Sequence, residues 1–297
     1  MNTIHHKVAL YIGIACCVFV LLYICISQFL GSAFFLSNDR VNILFYSEIP
    51  VYFSFDKNGE VHYATSFQSE GRVAIPGGYG TYRLGGIRKL VLLEKNPDLL
   101  NKSFSRITGS MLNYYFYPRK NVVYYGVKEG VHLPSWIDIF LTDSNANIFD
   151  RFYVWFQFMG RRNTDFQEIK IKRIQSGDEI LLSDATFAEQ YLGYFYQKKL
   201  RKENKTVQIL YRTSYIAATN ISRIIDGEGM RVVDIDTSSN LKAQASKQQC
   251  TVMENTKNNF SKTAVKIASF FHCGLSKGKG RVSDIVIELG SIEKVWE

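Results

Sequence analysis

The side chains best suited to chemistry gather in one glycine-rich stretch, residues 66–87, SFQSEGRVAIPGGYGTYRLGGI. It carries a hydroxyl at Ser69, a carboxylate at Glu70 and guanidinium groups at Arg72 and Arg83, with Arg88 and Arg106 a short way on. Five glycines fall between Gly77 and Gly86. Glycine accepts positive φ and lets another backbone come close, so the run suits a tight turn or a loop that cradles phosphate. A guanidinium fork matches phosphate oxygens, and this is the chemistry such a set would serve. A strand, a turn and the next element, with no ligand, account for the same pattern, because short glycine motifs are weak signals.

Other strings carry less. Gly274-Leu275-Ser276-Lys277-Gly278 matches the nucleophile-elbow string, which requires a strand before it and a helix after. Here a helical pattern precedes and a strand follows, so the match is set aside. Asp234 and Asp236 close a strand ahead of a polar connector and read as solvent-facing acids. The histidines show no ligand spacing and no P-loop occurs.

The elements that must position the glycine-rich stretch alternate in type. Residues 41–46, 51–55 and 61–67 read as strands, with a turn at Asp56-Lys57-Asn58-Gly59. Helical segments are expected at 87–92 and 99–108, around the start signal Asn96-Pro97-Asp98, and a strand at 112–117. Residues 118–146 read as irregular. Helix 147–161, capped by Asn147, spaces Ile148, Phe152, Trp155, Phe156 and Met159 as a stripe expected in the core. A strand over 166–174 and a helix over 186–202 follow, the latter ending in the basic run KKLRKENK. Beyond it the chain reads strand 207–211, helix 215–226, strand 231–235, then strand 250–254, helix 261–271 and strand 284–289, which is β-α-β twice over.

Residues 66–77, Ser-Phe-Gln-Ser-Glu-Gly-Arg-Val-Ala-Ile-Pro-Gly, with Arg83-Leu84 beyond them, resemble the core motif of the LytR–CpsA–Psr (LCP) family. Asn113-Tyr114-Tyr115 resembles that family's step from helix to strand, and Arg161, Arg162 and Asp165 faintly resemble its arginine-rich helix. Leu210-Tyr211-Arg212-Thr213 and the terminal Ser283-Asp284-Ile285-Val286-Ile287-Glu288-Leu289-Gly290 resemble the LytR C-terminal domain often fused to it. The resemblance implies a mixed α+β fold: an LCP-like mixed sheet with flanking helices, and a small C-terminal βαβ-type domain. It also implies attachment of lipid-pyrophosphate-linked glycopolymer to the wall at the outer membrane face. This copy departs where the family grips pyrophosphate. The motif's arginine aligns with Ser69 and its aspartate with Glu70, and the loop between the first strands is cut to Ser47-Glu48-Ile49-Pro50, with Glu48 its nearest acidic match.

Residues 8–38 contain no charged side chain, and residues 8–36 are apolar enough to span the hydrocarbon core as an anchor. The basic tail, residues 1–7, is expected in the cytoplasm, leaving the bulk of the chain outside and disfavouring nucleic acid as a partner. Domains are expected at 41–202, a degenerate LCP-like domain, and 205–297. With 36 basic and 27 acidic residues the net charge is +9, which favours anionic partners. Cys250 and Cys273, the only cysteines of the exported part, could form a disulfide or stand as two buried thiols.

The resulting expectation is a membrane-anchored, envelope-facing protein that binds or scaffolds cell-wall glycopolymer or an assembly partner without transferase activity. Membrane lipid is an expected partner, and contacts to anionic glycopolymer or polyprenyl-pyrophosphate glycan would come from Glu48, Arg72, Arg83, Arg88 and Arg106. The rival is an active phosphotransferase using Glu48, Glu70, Arg72 and Arg83, and Mg2+ enters only there; otherwise no cofactor is expected. A deep apolar groove ending in arginines near Ser69 would favour the rival, and a filled interior the first reading.

Overall fold

A computed structural model describes residues 2–35, 39–171, 174–176, 179–181, 184–238, 250–278 and 282–297. The first element is α1 (Asn2–Leu30). Its segment Gly13–Leu30 has a mean hydropathy of 2.3, is not buried by the chain, and is long and apolar enough to cross a membrane. Gly31 and Ser32 end it in a turn, with Ser32 Oγ donating to the Phe29 carbonyl at 2.6 Å.

Three strands, β1 (Arg40–Phe45), β2 (Val51–Asp56) and β3 (His62–Ser66), form an antiparallel meander. Alternation sends Leu44 and Tyr52 to one face and Ile43, Phe53 and Phe55 to the other, and both sets are buried in separate cores. The hairpin β4 (Arg72–Ile75) and β5 (Gly80–Arg83) precedes α2 (Ile87–Glu94) and α3 (Asp98–Thr108), and these helices cover the first face. β6 (Tyr114–Tyr117) joins β1 in parallel. The second face is covered by α4 (Trp136–Phe140), which leads to β7 (Asp143–Ser144), and by α5 (Ile148–Phe158). β8 (Phe166–Glu168) completes a six-stranded sheet of order β7-β6-β1-β2-β3-β8. Short strands β9 (Ile174–Ser176) and β10 (Glu179–Leu181) extend the β4–β5 hairpin. Arg40, buried beneath the meander, pairs with Asp56 at 3.4 Å and donates to Ser54 Oγ at 3.1 Å.

After α6 (Asp184–Tyr191) and α7 (Lys198–Glu203) comes a five-stranded sheet of order β12-β11-β15-β13-β14. Its strands are β11 (Thr206–Tyr211), β12 (Arg231–Thr237), β13 (Thr251–Glu254), β14 (Gly274–Lys277) and β15 (Ile285–Glu288). α8 (Tyr215–Gly227) links β11 to its parallel neighbour β12, α9 (Lys262–Phe271) links β13 to parallel β14, and α10 (Glu293–Trp296) ends the chain. Cys250 and Cys273, before β13 and after α9, are disulfide-bonded with Cα atoms 4.6 Å apart. The two sheets meet through α3 and α8. There Gly227 lies against the Gly109 carbonyl, and buried Glu228 accepts from Met111 N at 2.6 Å and from Gln197 Nε2 at 3.0 Å.

The architecture is the expected mixed α+β one, with corrections of detail. The helix expected at 186–202 is two helices, broken by turns around Gly193 that fold Phe195 into the core. The strand expected at 166–174 stops at Glu168, and residues 172–173 lie outside the described ones. The second βαβ unit closes on β14, with β15 inserted antiparallel beside β13. β14 is an exposed edge whose Gly-Leu-Ser-Lys has no apolar alternation, and it contains Ser276 of the elbow string. The connector at 237–248 lies mostly outside the described residues. The stripe on α5 is mostly not core: Ile148, Phe152, Phe156 and Met159 are 41–58% exposed and Trp155 is half-buried against the core, while Tyr153, Val154 and Phe158 face inward.

Candidate functional site

The β4–β5 hairpin turns through Gly77, Gly78 and Gly80, all at positive φ, as the glycine run requires. It sets Arg72 directly across from Arg83. Arg83 reaches Glu70, with Nη1 3.4 Å from Oε2 and about half of the guanidinium exposed. Ser69 is buried and its Oγ donates to the Glu48 carbonyl at 2.5 Å. The Glu48 carboxylate faces Lys128 at 3.5 Å. The fold therefore brings Glu48, Ser69, Glu70, Arg72 and Arg83 to one place.

Arg88 does not join them there. Arg88 is buried in the first turn of α2, where it donates to the carbonyls of Pro118 and Arg119, both at 3.1 Å, and lies over the Tyr117 ring. Its role is to anchor the chain leaving β6. Arg106 sits in the last turn of α3.

Residues 124–130, within the span expected to be irregular, lie as a strap across the motif. Tyr124 N donates to the Gly85 carbonyl at 3.0 Å, and Gly85 N donates to the Ser69 carbonyl at 2.9 Å. Glu70 and Gly126 exchange two bonds: Glu70 N donates to the Gly126 carbonyl at 3.2 Å, and Gly126 N to Glu70 Oε1 at 3.3 Å. Gln68 Nε2 donates to the Val127 carbonyl at 2.7 Å, and Gly130 N to Ser66 Oγ at 3.2 Å. A Cβ on Gly85 would overlap the Tyr124 carbonyl, so glycine is needed here for close approach. Gln68 Oε1 is the one polar atom of the motif that is buried without a hydrogen-bond partner among the described residues.

Beneath the motif the interior is packed by Phe67, Leu84, Phe104 and Leu44, all fully buried. A small cavity of about 150 Å³ lies beside it, lined by Tyr46, Ile49, Phe116, Tyr124 and Pro134 among others. Tyr46 Oη donates to the Leu84 carbonyl at 2.8 Å, and burial pushes its phenol well up from 10. A larger cleft of about 580 Å³ opens between the two sheets, with Lys199, Lys262, Lys266 and His272 on its walls. Burial lowers the Lys266 ammonium, and the Glu228 charge opposes that shift.

Glu48 faces Lys128 at 3.5 Å and Glu70 faces Arg83 at 3.4 Å, so each carboxylate meets a cation of the protein. Among the described residues no group of three or more His, Cys, Asp or Glu is placed to hold a metal. Sequence reasoning missed Gln68, Gly85, Tyr124, Gly126 and Lys128. The only signal was the pair of glycines, Gly126 and Gly130, inside a stretch with no periodicity.

Fold and site together describe a mixed α+β protein that follows an apolar N-terminal helix and carries a strapped glycine-rich hairpin. No protein-family model matches the chain, and no curated protein sequence does. Among solved structures it is similar to TagV of B. subtilis, at 9% identity and a TM-score of 0.36 over 52% of this chain and 95% of that one. It is similar also to the LytR-CPS2A-psr family protein YwtF (TagT) with bound octaprenyl pyrophosphate lipid, at 11% identity and a TM-score of 0.34 over 51% and 87%. For TagT bound to LIIa-WTA the values are 11% and 0.33 over 52% and 88%.

Proposed function

We propose that this chain is a membrane-anchored, envelope-facing protein built on a degenerate LCP-like domain, residues 41–202, followed by a LytR C-terminal-like domain, residues 205–297. It holds an anionic wall glycopolymer or an envelope-assembly partner and does not transfer it. α1 is its anchor, with the N-terminus in the cytoplasm. The observation that carries this reading is the internal use of the motif. Ser69 is bonded to Glu48, Glu70 to Gly126 and Arg83, and the strap at 124–130 lies across the motif. Phosphoryl transfer needs cations aimed at the charge developing on the leaving phosphate, and losing one such donor typically costs about 3–4 kcal/mol. Here the motif offers a buried hydroxyl and a paired carboxylate instead. Arg83 and Lys128, both substantially exposed, remain at the rim to meet a polyanion.

The test uses the full chain in nanodiscs. A poly(glycerol phosphate) polymer should bind in a salt-sensitive way. Arg83→Gln combined with Lys128→Gln should weaken it several-fold. With a polyprenyl-pyrophosphate-linked glycan and peptidoglycan, no linked product should form. Turnover that disappears in Glu70→Ala and Arg83→Ala would overturn the non-transferring reading.

A further inference from the structure

The outward stripe of α5 has no task in the site above. A helix on a protein surface ordinarily turns a polar face to water. On α5 the inward side packs Tyr153, Val154 and Phe158, while the outward side presents Ile148, Phe152 and Phe156, joined by Met159 just past the helix, at 41–58% exposure. The helix is apolar on two sides. α4 continues the same surface with Trp136 and Ile137, 58% and 49% exposed, and the Phe140 and Phe152 rings lie 5.1 Å apart between the two helices. These residues are not scattered singly, as surface apolar groups normally are.

The patch joins the end of the apolar helix. The Phe29 ring, in the last turn of α1, lies 5.2 Å from the Phe149 ring. Phe34, just beyond the turn, lies 5.3 Å from Tyr153 and 6.4 Å from Phe156. A buried bond fixes this joint: Ala33 N donates to Asp150 Oδ1 at 2.8 Å. The same carboxylate accepts from Tyr114 Oη at 2.9 Å and, through Oδ2, from Asn147 N at 3.1 Å, closing the capping box that starts α5. The first turn of α5 is therefore held one ring's width from the end of the segment that crosses the membrane. The interfacial layer on each side of the hydrocarbon core is about 5–8 Å thick, so an element this close to Leu30 lies within it.

We infer that α4 and α5 form an interfacial membrane surface, lying in the plane of the bilayer with the Phe152–Phe156 side in the acyl boundary. This rests on the reading of α1 as an anchor. The bilayer is the occupant because the patch is continuous with α1 and shares its aromatic end. Exposed aromatic and aliphatic side chains beside the end of an apolar helix suit the interfacial layer, where an apolar face sits about 5–10 Å into the headgroup boundary. The second contact fixes the rotation of the domain on the membrane, which a single helix alone cannot do.

Tryptophan quenching by lipids brominated on their acyl chains tests this with the full chain in vesicles. Trp155→Phe with Trp296→Phe leaves Trp136 on α4 as the reporter. In a tryptophan-free background, Tyr23→Trp reports on α1 itself. Trp136 emission is expected to fall at least twofold, and Phe152→Ser with Phe156→Ser should restore most of it while far-UV dichroism is unchanged. An unquenched Trp136 beside a quenched Tyr23→Trp reporter overturns the inference and leaves the anchor standing, including where a second copy is found to cover the patch. If neither reporter is quenched, the anchor reading fails and the inference with it.

Discussion

Replacing Glu228 by Gln is expected to flatten the fall of this protein's stability between acid and neutral pH. Glu228 has no exposed surface and lies where α8 meets the chain leaving α3. Burial raises its carboxyl from 4.5 to about 7, against the pull of the Lys266 charge and of bonds from Met111 N and Gln197 Nε2. Between 4.5 and about 7 the folded protein keeps a proton that the unfolded chain has released, so stability falls as pH rises through that window. At about 1.36 kcal/mol per pH unit, the displacement is worth roughly 3 kcal/mol. Gln stays neutral, and its oxygen can still accept from Met111 N. Urea denaturation of the full chain in detergent, followed by far-UV dichroism at about pH 5 and about pH 8, reads the difference. The parent should lose roughly 3 kcal/mol more across the interval than Glu228→Gln. Asp226, raised by burial to about 6, adds the same slope to both proteins and drops out of the comparison. Equal pH slopes in the two proteins would refute the argument.

Three further perturbations test other parts of the structure. Gly85→Ala should force the Tyr124 carbonyl off the motif, costing about 1–3 kcal/mol and speeding hydrogen exchange at the Tyr124 and Gly126 amides; unchanged exchange would mean the strap does not depend on that approach. Cys250→Ala with Cys273→Ala removes a cross-link over 23 residues and should lower stability by roughly 3 kcal/mol, read as a shift in denaturation midpoint against the oxidised parent. Arg40→Met leaves Asp56 buried without its main partner and should cost about 3 kcal/mol in the same assay, the low end for a broken buried pair. Lys198, 3.8 Å from Asp56, makes up part of the loss.

The glycine-rich hairpin shows where reading the chain succeeds. Its turn needs positive φ at Gly77, Gly78 and Gly80, a local demand that residue types announce, and the resulting register sets Arg72 against Arg83. The strap at 124–130 shows where it fails. Its bonds to Ser66, Gln68, Glu70 and Gly85 run mostly through backbone groups some 40–60 positions away, and backbone groups leave no mark on composition or periodicity. α5 fails differently. Spacing reports that a side of a helix is apolar, but only one side of this helix packs against the described residues.

Sequence alone determined the apolar helix, the alternation that gives the central strands two buried faces, and the two βαβ units in outline. Each of these is written in neighbouring residues, through side-chain period, chain stiffness or residue type. Tertiary structure decided that Arg88 clamps carbonyls, that Glu70 is already paired, that Glu228 is sealed between two sheets, and that the α5 stripe faces outward beside the end of α1. Those outcomes depend on which distant groups compete for the same charge, hydrogen bond or apolar surface, and that competition is resolved only when the chain has closed on itself.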